Sequence, residues 1–178
     1  PTDQAVLYIM QLLDGLRAVH ALGMLHRDVK PSNIYVTASG SVRLLDFGAA
    51  KYFFDNSLSG AMSGSYTDGY APVEQLPDSG LDEGPWTDVY ATGATLYYLL
   101  SGKSVPVSTS RERKDRLIPL CDIAGVAVSP ALSAVVVRAL APNPDDRFRS
   151  VDEFQAELMS ATRESAPQPT PAPTPSPT

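Results

Sequence analysis

Cysteine is nearly missing from this sequence: Cys121 stands alone among 178 residues. No disulfide can form within the chain, and a lone thiol reads as a small buried packing group rather than a nucleophile. Positive charge is also scarce, with 14 Lys and Arg against 20 Asp and Glu and a net charge of -6. That balance argues against a nucleic-acid partner, because phosphate backbones are gripped by clustered cations. Long apolar runs are absent as well. The longest worth testing, Val89 to Leu100, is too short to span a bilayer and contains Thr and Tyr, so it reads as a buried helix. The residues from Pro1 onward show no signal-peptide or targeting pattern, and no internal repeat occurs along them. With one thiol, a reducing, cytoplasmic setting is the expectation.

What is present suffices for one domain with a real core: 43% of residues are apolar and 19% charged. Val6, Ile9, Leu12, Leu13, Leu16 and Val19 recur at helical spacing after Thr2 or Asp3 as a cap, and Gly23 ends that helix. His20, near its end, reads as a surface or packing side chain. Ile34–Val36 and Val42–Leu45 are β-prone runs around Thr37-Ala38-Ser39-Gly40, which predicts a small hairpin. From Gly48 to Gly69 the chain is polar and rich in Ser and Gly, the composition of a long functional loop. Trp86–Ser101 is apolar nearly all round, so it should lie at the centre of the domain, stopped by Gly102. A charged helix near Arg111–Leu117 reads as a solvated face. Ser129-Pro130 caps a helix carrying Leu132, Val135, Val136 and Leu140. Ser150 with Glu153 opens a last helix carrying Val151, Phe154 and Leu158. The domain is expected to span 1–162. Residues 163–178, where Pro alternates with Gln, Thr, Ala and Ser, read as an extended disordered linker.

The chemistry is concentrated in His26-Arg27-Asp28-Val29-Lys30-Pro31-Ser32-Asn33, followed thirteen residues later by Asp46-Phe47-Gly48. Asp28 can take a proton, Lys30 can neutralise a phosphate, and Asn33 and Asp46 are oxygen ligands of the kind a hard cation prefers. The predicted hairpin would bring Asn33 and Asp46 together. Singly, each of these residues would be an ordinary loop carboxylate, cation or cap.

Together, in order and at this spacing, they resemble the catalytic loop and metal-binding motif of the protein kinases, of the bacterial Ser/Thr-specific type. The resemblance implies a mainly α (α+β overall) fold: the helical C-terminal lobe, with a small β-hairpin at the active site. It implies ATP and Mg²⁺ as cofactors and a protein substrate as partner. Asp28 would accept or orient the substrate hydroxyl proton, and Lys30 would sit on the γ-phosphate. Asn33 and Asp46 would hold Mg²⁺. Thr67 would bridge Asp28 and Lys30. Tyr35 stands where the family often has Leu under the adenine. Structural roles fall to His26, Phe47, Gly48, Asp88 beneath the catalytic loop, and Glu74 paired with Arg147. The segment Gly69-Tyr70-Ala71-Pro72-Val73-Glu74-Gln75 is similar to the end of an activation segment, with its Pro one residue early. Arg27 and Lys51 are candidate docking cations for a phosphate on the loop, at Ser57, Ser59, Ser63 or Ser65. Asp78, Asp82 and Glu83 read as a solvated acidic loop, with selection of basic peptides as the functional alternative.

The resemblance covers residues 1 to about 160 and only the family's larger lobe. No Gly-x-Gly-x-x-Gly occurs, so the N-terminal lobe is expected to be absent, leaving this chain alone with weak ATP binding and negligible turnover. The competing expectations are a pseudokinase or docking module, and a small-molecule phosphotransferase of related fold. The proline-rich tail is similar to linkers that lead to a membrane helix or sensor, so a membrane anchor on the parent is suspected. Nothing in the sequence sets the oligomeric state.

Overall fold

The computed structural model describes residues 1–52, 66–77 and 79–164. Helix α1 (Thr2–Ala21) buries Ala5, Val6, Ile9, Leu12, Leu13 and Leu16 along one stripe. Its first turn has no side-chain cap: Pro1 occupies that position, and the Thr2 hydroxyl instead donates to the Ala127 carbonyl. Gly23, just beyond its end, takes the left-handed conformation at φ 73°. Strand β1 (Met24–Leu25) follows. Next come a single 3-10 turn (Pro31–Asn33) and the hairpin of β2 (Ile34–Val36) and β3 (Val42–Leu44). The hairpin is antiparallel with Ile34 opposite Leu44 and Tyr35 opposite Arg43. Strand β4 (Lys51–Tyr52) returns to pair with β1, a contact between segments too short to show a period in the sequence.

Helix α2 (Pro85–Ser101) is the central element. Every residue from Thr87 to Tyr97 is buried, as an all-round apolar helix should be, and Gly102 closes it at φ 67°. It packs on α1 and on α4 (Pro130–Ala139), while α5 (Val151–Glu164) closes over α1, α2 and α4. Close approach of α2 and α4 needs Gly93: a Cβ there would stand 3.0 Å from the Ala139 Cβ. The expected caps form at both later helices. The Ser129 hydroxyl accepts from Leu132 N–H at 3.1 Å, and that of Ser150 from Glu153 N–H at 3.2 Å. Arg17 ties α1 to α5 through Asp152 and Gln155.

Two expectations are corrected. The charged helix is α3 (Ser108–Arg113), and Arg111 on it is buried rather than solvated. Its guanidinium donates to Asp115, the Tyr90 hydroxyl and the Leu140 carbonyl, so the charge is fully partnered inside the fold. Burial works against that charge, but the hydrogen bonds with Asp115 and Tyr90 outweigh it and raise the Arg111 pKa. Cys121 is exposed, not buried: it sits on a 3-10 turn (Leu120–Asp122) whose buried member is Leu120. Among the described residues no helix is long and apolar enough to cross a membrane.

Candidate active site

The site is assembled on the N-terminal end of α2. Asp88, in the first turn and fully buried, accepts the backbone N–H of His26 at 2.9 Å and of Arg27 at 2.8 Å. His20 also meets it, Nε2 to Oδ2 at 2.8 Å. His20 is therefore part of the platform and not a surface side chain. These bonds hold Arg27 at φ 68°, a left-handed conformation that costs a non-glycine residue on the order of 1–2 kcal/mol. The Gln75 amide fixes the same residue from the other side, donating to the Arg27 carbonyl at 2.5 Å.

With the backbone so fixed, Asp28 and Lys30 project together. Lys30 Nζ lies 2.8 Å from Asp28 Oδ2 and donates to the Thr67 hydroxyl at 2.9 Å. That hydroxyl in turn donates to Asp28 Oδ1 at 3.2 Å. The Asn33 amide nitrogen donates to both the backbone and the side chain of Asp28, each at 2.8 Å. Asp28 is thus oriented by three neighbours yet keeps 15% of its side chain in solvent, and Lys30 keeps 22%.

The hairpin brings the second acidic residue in. Leu45 N–H donates to the Asn33 carbonyl at 2.8 Å, one step beyond the Ile34–Leu44 pair, so the chain enters Asp46 beside Asn33. Asp46 itself is at φ 59° and accepts the Gly48 N–H at 3.0 Å. A Cβ at 48 would stand 2.9 Å from Asp46 Oδ1, so a side chain there would displace that carboxylate oxygen. His26 links the two halves: Asp28 N–H donates to its Nδ1, and its Nε2 meets the Leu45 carbonyl at 3.1 Å. That pair of partners requires the Nε2–H tautomer. The Phe47 ring packs edge-on to the His26 ring at 4.8 Å and is otherwise 48% exposed. Tyr35 is 57% exposed.

Below the site, Glu74 and Arg147 form a bidentate pair at 2.6 and 3.1 Å, both side chains wholly buried. Thr87 donates to Glu74, while Arg147 also donates to the carbonyls of Ala141 and Pro142 and lies over the Tyr90 ring. The pair locks the segment after Thr67 onto the helices.

Two sequence candidates sit differently from their expected setting, and others lie beyond what is described. Arg27 carries its guanidinium against Glu83, Nε to Oε2 at 2.6 Å and Nη2 to Oε1 at 3.2 Å, and Nη1 donates to the Ala49 carbonyl. Glu83 is correspondingly withdrawn from solvent, which the acidic-loop reading did not foresee. No sequence signal announces that contact, or those of Gln75 and His20, since each spans tens of residues. Lys51 lies on β4. Ser57, Ser59, Ser63, Ser65 and Asp78 fall outside the described residues, as does the proline-rich tail.

Residues 1–159 match the protein kinase domain, and the chain belongs to that family. It is 34% identical to the serine/threonine-protein kinase PknB of Mycobacterium leprae over 94% of this chain and 28% of that protein. It is 32% identical to PknL of Mycobacterium tuberculosis over 93% of this chain and 42% of that protein. A solved structure, PpkA-294 in its apo form, superposes with a TM-score of 0.69 at 37% identity, covering 83% of this chain and 51% of its own. The chain therefore spans between about a quarter and a half of these relatives. Its kinship lies with bacterial Ser/Thr kinases, and its mostly helical fold with one small hairpin is that of a kinase lobe.

Proposed function

We propose that the protein carrying this chain transfers the γ-phosphate of ATP to a Ser or Thr hydroxyl of a protein substrate. The observation that supports this best is the Thr67 hydroxyl held between Asp28 and Lys30, a proton acceptor and a cation fixed at one point. Asp28 orients the acceptor hydroxyl and receives its proton; Lys30 offsets charge on the phosphoryl oxygens.

The donor set suits Mg²⁺. The Asn33 amide nitrogen is committed to Asp28, which leaves its oxygen as the ligand end, and Asp46 adds a carboxylate. Among the described residues no cluster of three or more His, Cys, Asp or Glu side chains could hold a metal. A site of one carboxylate and one amide fits an ion that takes most of its remaining ligands from water and nucleotide phosphates. ATP bound here would supply the phosphoryl group, and Mg²⁺ held by Asn33 and Asp46 would neutralise phosphate charge. Tyr35 is assigned to the nucleotide side of the site. A cavity of about 230 Å³ beside Thr67, lined by Tyr66, Asp68, Ala71 and Val107, is assigned to the acceptor polypeptide.

This chain on its own binds ATP weakly, because a Gly-rich loop is not in its sequence. Calorimetry showing micromolar affinity for Mg-ATP would contradict that. We further place the catalytic lobe in the cytoplasm, with the proline-rich tail as a spacer toward an anchor or sensor. The deciding experiment is phosphotransfer by the full-length protein and its Asp28→Asn variant. Loss of about 10³-fold or more in kcat is expected; equal rates would remove Asp28 from the chemistry and favour a docking module.

A further inference from the structure

The kinase reading leaves one strong interaction unused. Arg27 and Glu83 meet through two hydrogen bonds of 2.6 and 3.2 Å with only 11% and 13% of their side chains exposed. Fifty-six residues separate them. The carboxylate is presented by a prepared backbone. Trp86 Nε1–H donates to the Asp82 carbonyl on one side of Glu83, and Gly84 N–H donates to the Thr87 hydroxyl on the other. Glu83 also stands immediately before Gly84, the cap of α2. The start of α2 therefore delivers two carboxylates to one residue: Asp88 takes the backbone N–H of Arg27, and Glu83 takes its guanidinium.

We propose that Glu83 is the resident counter-anion of Arg27 and takes the place of a phosphate in ordering the catalytic loop. Arg27 precedes Asp28 directly, is held in a left-handed conformation, and places a cation next to the proton acceptor. A near-buried guanidinium without an anion would be costly, and a forked carboxylate is its best partner. Glu83 uses the Nε–Nη2 edge, the edge with which a phosphate would make a bidentate contact, and Ala49 takes a hydrogen of Nη1. Glu83 is thus a positioning residue. It acts on Asp28 through Arg27, and the proposal rests on the kinase reading for its consequence though not for its chemistry.

The test uses the full-length protein, wild type and Glu83→Gln, treated with a phosphatase and followed in two ways. The first is phosphotransfer with and without inorganic phosphate in the tens of millimolar. Wild-type kcat is expected to stay within about twofold throughout, while the variant loses about tenfold in kcat at unchanged KM for ATP and regains it with phosphate. The second is the Arg27 Nε–H resonance during a phosphate titration, expected to shift in Glu83→Gln and not in wild type. A wild type that loses activity on phosphatase treatment as far as the variant overturns the proposal. So does a folded variant whose loss phosphate does not reverse, or whose Arg27 resonance is indifferent to phosphate. If Glu83→Gln fails to fold, Glu83→Asp takes its place, with an intermediate response to phosphate expected and none overturning. A wild type that transfers no phosphate under any condition defeats the kinase reading alone; the resonance titration then decides the role of Glu83.

Discussion

Two clusters in this molecule are built from the same chemistry and placed in different surroundings. In one, Glu74 and Arg147 meet with both side chains wholly buried and every guanidinium edge engaged. In the other, Asp28 and Lys30 meet at 2.8 Å but stay partly in water, with Thr67 shared between them. A buried pair is expensive to leave half-made, because the surviving charge has neither solvent nor partner. A pair that keeps part of each side chain in water loses less when broken, since water replaces part of the missing partner. The first cluster therefore holds the fold, and the second is the candidate for chemistry. The polar residues of the open cluster face a place where a substrate can arrive, and those of the buried one face only protein.

The sharpest way to break this contrast is to strike each cluster and measure both stability and activity. Asp28→Asn, which should cost about 10³-fold or more in kcat, is expected to shift the unfolding free energy by less than about 1 kcal/mol. A large loss of stability would mean that Asp28 is a structural residue. Arg147→Met should do the reverse. It leaves Glu74 buried and unpaired, at a cost of about 3–5 kcal/mol, which lowers the melting temperature by roughly 10 °C or more in a domain of this size. Denaturant unfolding with an unchanged midpoint would refute the buried anchor.

Gly93→Ala sharpens the packing side. The new methyl meets Ala139 at 3.0 Å, so α2 and α4 must separate, for about 1–3 kcal/mol. A neutral melt would show that the two helices adjust freely. The smallest effect belongs to a pair lying between the two extremes, Arg111 with Asp115. The Arg111 hydrogen bonds hold the Asp115 carboxyl below its ordinary 3.8. A folded pKa below the unfolded one gives stability that is fully present above the unfolded value and is lost as pH falls through the folded value. Wild type should therefore lose more stability than Asp115→Asn on acidification from pH 6 to below 3. Parallel losses would show that the pair contributes nothing to acid sensitivity.

Much of the fold could be read from the chain because its signals are local. The apolar stripe of α1, the all-round apolarity of α2 and the Ser129-Pro130 start of α4 each follow from residues a few positions apart. So does the approach of Asn33 to Asp46, since a tight hairpin must bring its two ends together. The misreadings share a different cause. Arg111 looked like part of a solvated charge run and Glu83 like part of a solvated acidic loop, because charge predicts exposure until a distant partner is known. Arg111 finds Tyr90 and Leu140, Glu83 finds Arg27, and His20 finds Asp88 across 68 residues. Cys121 failed in the opposite direction. Small apolar side chains are buried on average, and a surface 3-10 turn overrode the average.

The sequence by itself determined the inventory of candidate catalytic residues. Asp28, Lys30, Asn33 and Asp46 are close in the chain or tied by a short hairpin, and the acids, cation and amide are legible as residue types. It also determined which helix lies at the centre, since no surface helix can be apolar on every side. Only the tertiary structure decided which charges are anchors and which are tools. Burial and partnership set that difference, and both depend on segments 50 or more residues apart meeting at the start of α2.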